Sequence, residues 1–135
     1  MKRNRSLGID AMTAHIEELC NQHEIDIEFT RRSRRGLQAY AAGPFQLICI
    51  PPIRSAVSYA TALHEIGHIL GPLQWAGVLK REEGAWRWAE RNALIWTDAM
   101  ERDRQRCMAW YHEKRGRSWA TKMPEPIYSA SGELV

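Results

Sequence analysis

Apolar positions recur along the first third of the chain at two periods. Ile9, Met12, Ile16, Leu19 and His23 fall three or four apart, with Glu17 and Glu18 on the other side, which predicts an amphipathic helix over 7–23. From Ile25 the period drops to two. Ile25, Ile27 and Phe29 alternate with Asp26, Glu28 and Thr30, the pattern of a half-buried strand. Residues 37–42 read as a second, weaker strand. Gly43-Pro44 marks a turn, and 45–50 form an apolar third strand, closed by Pro51-Pro52 because proline has no N–H for a ladder.

Helical spacing then returns. Ser55 suits the N-cap of a helix running to about residue 70, closed by Gly71-Pro72 as a C′ glycine and the proline that follows it. A second helical pattern extends from near Lys80 through Trp96. Thr97 or Asp98 begins a third, since Asp98 and Glu101 have capping-box spacing, and Lys114-Arg115-Gly116 resembles its last turn. Residues 117–135, with Pro124, Pro126 and Gly132, predict an irregular tail. The expected architecture is α+β: an N-terminal helix, a small three-stranded sheet and three C-terminal helices in one domain spanning 1–116.

Composition narrows the function classes. A chain of 135 residues suits one domain. No apolar run approaches the ~18 residues of a membrane helix, and no apolar stretch follows Met1-Lys2-Arg3-Asn4-Arg5 as a secretory signal requires. Cys20, Cys49 and Cys107 form neither a C-x-x-C site nor an even disulfide set, so a reducing cytoplasm is expected. The net charge of +3 is weakly basic and gathers at the N-terminal tip and in Arg31-Arg32-Ser33-Arg34-Arg35. That cluster reads as a solvated hairpin tip, with phosphates or an acidic substrate segment as its alternative partners. It lacks interleaved aromatics for stacking, so nucleic acid is not the expected partner.

The chemistry lies in His64-Glu65-Ile66-Gly67-His68, an H-E-x-x-H within the predicted helix. Four residues advance a helix by a little over one turn, so both imidazoles leave the same face and can reach one Zn²⁺ at ~2.0–2.1 Å. Glu65, beside the first ligand, is placed to act as general base toward water made acidic by the metal and to pass the proton to a leaving amine. Chains of this composition would carry the pattern by chance roughly once or twice in a hundred. Ala60, Leu63, Ile66, Ile69 and Leu70 mark the helix as buried, where histidines and a carboxylate need a partner.

Catalytic zinc sites commonly take three protein ligands, and no histidine follows at metzincin spacing. The acids of the next helix, Glu82, Glu83 and Glu90, are the candidates. Glu82 shares a stripe with Ala85, Trp86, Ala89, Ala93 and Trp96, whose small members would let the two helices approach closely. Glu83 lies about 100° away toward solvent, and Glu90, on the stripe of Trp86, Ala93 and Leu94, is the runner-up.

Two segments now bear comparison with a known group. Thr61-Ala62-Leu63-His64-Glu65-Ile66-Gly67-His68 and Glu82-Glu83-Gly84-Ala85-Trp86-Arg87-Trp88-Ala89 resemble the two motif helices of the ImmA/IrrE family of small, gluzincin-like zinc metallopeptidases. The second follows the family's E-x-x-A-N-x-F-A at the glutamate and both alanines, with tryptophans replacing the Asn and the Phe. Leu94-Ile95-Trp96-Thr97 does not match the family's leucine-rich Met-Pro ending. The resemblance covers roughly 7–96. It implies a minimal zincin-like domain, zinc on His64, His68 and Glu82, catalysis by Glu65, a protein or peptide substrate such as a repressor, and a phage or mobile-element setting.

Tyr111 and His112, late in the last helix, are candidate stabilisers of a tetrahedral oxyanion. Tyr59 is expected in the core, and His15 and His23 at the surface or a helix end. Trp75, Trp86, Trp88 and Trp96 are read as mostly core, one or two lining a cleft. The principal alternative is a zinc-stabilised module that regulates a partner by contact, without catalysis.

Overall fold

The computed structural model describes residues 7–30 and 39–114. Helix α1 spans Ile9–His23, β1 Asp26–Phe29, β2 Tyr40–Ala42 and β3 Leu47–Ile50; α2 spans Ala56–Leu70, α3 Val78–Asn92 and α4 Asp98–Lys114. Among the described residues, the α+β architecture is four helices and one three-stranded mixed sheet. No described helix is long and apolar enough to cross a membrane. The expected tail and the Arg31–Arg35 cluster lie outside the described residues.

The strand order is β1-β3-β2. β1 runs parallel to β3, with Ile27 opposite Ile48 and Phe29 opposite Ile50. β2 runs antiparallel to β3, with Tyr40 opposite Cys49. β1 and β2 are therefore each paired with β3 and not with each other. The third strand also starts later than expected. Gly43–Phe45 form a 3-10 turn, Gln46 takes φ 50°, and Phe45 is left 77% exposed. Phe29 likewise lies on the open side of edge strand β1, whereas Ile48 and Ile50 of the central strand are fully buried.

Helix α1 lies beside β1 and α2, α2 lies on β2 and β3, and α4 closes over α2 and α3. Met12, Ile16, Ile48, Ile50, Leu63 and Ile66 form the centre of the core, joined by Trp86, Trp96 and Met100. Ser55 caps α2 as expected: its hydroxyl accepts from Ser58 N–H, and the Ser58 hydroxyl accepts from Ser55 N–H. Such a cap is worth ~1 kcal/mol. Gly71 ends α2 at φ −81°, so it is not the left-handed C′ glycine its position suggests. Its lack of a side chain is used for proximity instead, since a Cβ there would stand 3.0 Å from Gly84 O.

Two other expectations change. Helix α3 stops at Asn92, and Trp96 lies beyond it. The Asn92 amide donates to Trp88 O, and Leu94 N–H is captured by the Tyr59 hydroxyl at 3.0 Å. That hydroxyl also lies 2.6 Å from His15 Nδ1, so His15 is half-buried and partnered rather than a free surface residue. Tyr59 is in the core as expected. Trp75 is 86% exposed in the α2–α3 loop, contrary to a core role. The α4 start follows the alternative with Thr97 as cap, its hydroxyl accepting from Met100 N–H.

Candidate metal centre

Helices α2 and α3 meet through residues that lack bulk. A Cβ on Gly67 would lie 2.5 Å from Ala85 O, and one on Gly84 would fall 1.9 Å from Pro72 O. This contact sets the second turn of α3 beside the end of α2. From that position Glu82 reaches across to the two histidines. Its Oε1 is 3.1 Å from His64 Nε2, its Oε2 is 3.0 Å from His68 Nε2, and the two Nε2 atoms are 3.2 Å apart.

These separations involve four atoms, one nitrogen from each imidazole and both oxygens of the carboxylate. Tetrahedral coordination at ~2.0–2.1 Å puts neighbouring donor atoms roughly 3.3–3.4 Å apart, and each of the three separations is within a few tenths of an ångström of that spacing. Two imidazoles and a carboxylate are also the donor types that suit Zn²⁺ or Fe²⁺. His64, His68 and Glu82 therefore form a group that could hold a metal ion. Glu90 is not part of it. Its carboxylate is 3.1 Å from Arg104 on α4, and Glu83 is exposed.

The electrostatics follow from this closeness. Burial opposes the charged form of Glu82, but His68 and His64 facing it hold its carboxyl well below the usual range. Burial likewise opposes charge on His68, yet the Glu82 carboxylate outweighs it and raises the imidazole to about 9. Glu65 is 5% exposed, and its Oε1 has no hydrogen-bond partner in the protein. Burial pushes its pKa up, opposed by His64 and His68 and assisted by Glu82. A buried carboxylate oxygen left unpaired near a group that could hold a metal is unusual.

The two imidazoles are held by different means. His64 lies against the Trp86 ring, centroids 4.2 Å apart and planes 31° from parallel, and its buried Nδ1 lacks a hydrogen-bond partner. His68 Nδ1 is 2.9 Å from Gln74 Oε1 in the α2–α3 loop. Sequence reasoning missed Gln74. The only signal available was an amide in a short loop between two ligand-bearing helices.

Tyr111 and His112 separate. Tyr111 is buried on α4, and its hydroxyl is pushed above the usual range by burial first and then by the Glu82 and Glu65 carboxylates. Cys107, one turn before it, is pushed up to about 12 by burial, Asp103 and the same two carboxylates. His112 is exposed and lines a cleft of about 320 Å³ between α3 and α4 with Glu83, Trp86, Arg87, Arg104 and Met108. Trp86 thus forms a wall common to that cleft and the His64 ring. Comparison with family models, curated proteins and solved structures returned no match.

Proposed function

We propose that this chain is a zinc-dependent peptidase, with His64, His68 and Glu82 as metal ligands and Glu65 as general base. The observation that carries the reading is the convergence of two imidazole nitrogens and the Glu82 carboxylate, with separations of 3.0–3.2 Å, near a buried carboxylate with an unpaired oxygen. When bound, zinc supplies Lewis acidity, polarising a carbonyl and making water acidic enough to lose a proton near neutral pH. The chain supplies the rest. Glu65 accepts that proton on a carboxylate oxygen and delivers it to the departing amine nitrogen. Burial makes Glu65 a stronger base than an exposed glutamate, which favours the first transfer. Of the two candidate oxyanion stabilisers, Tyr111 is buried and feels both carboxylates, whereas His112 is exposed.

The resemblance to the ImmA/IrrE metallopeptidases supports the same ligands and a protein substrate, with a repressor and a phage or mobile-element setting as the family's precedent. Three unpaired cysteines suit a reducing compartment such as the cytoplasm. A second reading, a non-catalytic zinc-stabilised regulatory module, is favoured by the low exposure of the ligand side chains, 11% for His64, 14% for His68 and 8% for Glu82. The test is Glu65→Gln assayed on a peptide library with parallel zinc analysis. The peptidase reading expects full zinc and cleavage reduced by at least ~10²-fold. Unchanged cleavage would remove Glu65 from the chemistry, and wild-type protein with full zinc but no cleavage of any library peptide would favour the regulatory module.

A further inference from the structure

The α2–α3 loop carries a side chain whose hydrogen bonds run to both ligand-bearing helices. Gln74 Nε2 donates to Pro72 O at 2.9 Å and to Arg81 O at 2.8 Å, while Oε1 faces His68 Nδ1 at 2.9 Å. Backbone carbonyls only accept, so the end that faces them is the NH₂ group and the oxygen is turned to the histidine. The His68 ring must then carry a hydrogen on Nδ1, and when neutral it keeps a bare Nε2. That atom is the one 3.0 Å from Glu82 and 3.2 Å from His64 Nε2.

We propose that Gln74 is the positioning residue of the metal centre: its oxygen selects the His68 tautomer and ring orientation that present Nε2, and its NH₂ group locks that oxygen against both helices. The proposal rests on the metal-binding reading above. Arg81 O belongs to the residue before Glu82, so one carboxamide ties His68 on α2 to the turn that carries the third ligand on α3. Space for this clamp is reserved by Gly84, where any Cβ would displace Pro72 O and crowd Gln74 Nε2 at 3.1 Å. His64 has no comparable bond at Nδ1. Of the two imidazoles, then, His68 alone has a hydrogen-bonded Nδ1, and its partner is Gln74.

The test compares full-length wild type, Gln74→Leu and Gln74→Glu. Zinc affinity is measured by chelator competition, and the imidazole N–H groups are followed by ¹H–¹⁵N spectra of zinc-loaded protein. Gln74→Leu is expected to weaken zinc binding by roughly 10–100-fold and to lose the exchange-protected Nδ1–H resonance of His68. Gln74→Glu keeps the acceptor but loses both donors to the Pro72 and Arg81 carbonyls, and is expected to retain that resonance and to weaken zinc binding less than Gln74→Leu does. Wild-type affinity in Gln74→Leu would overturn the proposal. So would equal losses in both variants matched by equal falls in metal-free unfolding temperature, which would make Gln74 a brace for the loop alone. Failure of wild type itself to bind zinc would instead sink the metal reading on which the proposal stands.

Discussion

Gly67 lies against the backbone of Ala85 so closely that a β-carbon would stand 2.5 Å from the Ala85 carbonyl oxygen and 3.0 Å from its Cα. The contact falls inside the H-E-x-x-H segment, one residue before the second histidine. It brings Glu82 within reach of His64 and His68. In an unpacked helix, Gly→Ala would stabilise by ~0.5–1 kcal/mol. Here Gly67→Ala must push α3 away from α2, and overpacking of this kind costs about 1–3 kcal/mol. The expected outcome is a lower unfolding temperature together with weaker zinc binding. A stabilised variant with unchanged zinc would contradict the close approach.

Tyr59 joins three parts of the fold through one hydroxyl, accepting from Leu94 N–H and lying 2.6 Å from His15 Nδ1. Tyr59→Phe leaves the Leu94 amide and the histidine nitrogen without that partner, a loss of about 1–2 kcal/mol. Zinc content should not change, because the hydroxyl's partners are Leu94 and His15 and not His64, His68 or Glu82. Burial depresses the His15 pKa below its ordinary 6.5, opposed by Glu18. A histidine with a depressed folded pKa stabilises above its unfolded value and ceases to do so as pH falls. Chemical denaturation of wild type should therefore show His15-dependent stability declining below about pH 6.5, and a His15 variant should lack that decline.

His68 predicts an opposite pH dependence for the metal-free protein. Glu82 raises its imidazole from 6.5 to about 9, so the ion pair contributes fully below 6.5 and is lost as pH climbs through about 9. A metal ligand must be neutral, so a proton competes with zinc over the same window. Apparent zinc affinity should rise from pH 6.5 to 9, with uptake at neutral pH releasing about one proton from His68. Calorimetry in buffers of different ionisation enthalpy reads this directly. Affinity independent of pH across that range would show that His68 is not held charged by Glu82.

Much of this was legible locally. The capped helix at Ser55 and the paired histidines depend on residues near one another in sequence. The preference for Glu82 over Glu90 followed from the stripe containing Ala85 and Ala89, both of which are fully buried. What was not legible depends on long-range partners. Apolar spacing continues to Trp96, but the Asn92 amide and the distant Tyr59 hydroxyl end the helix earlier. Insertion of β3 between β1 and β2 is a choice of strand neighbour that alternation does not encode. Gln74 belongs to no periodic pattern, and its role exists only once two helices and a loop have met.

The metal centre itself is tested most directly by elemental analysis of purified wild type, Glu82→Ala and Glu90→Ala. The geometry predicts close to one zinc per chain in wild type. It predicts loss or marked weakening in Glu82→Ala. Glu90→Ala should keep its zinc and change stability by no more than ~1 kcal/mol, since its pair with Arg104 is largely solvent-screened. Wild type without tightly bound metal, or zinc retained equally in Glu82→Ala, would contradict a centre built from His64, His68 and Glu82.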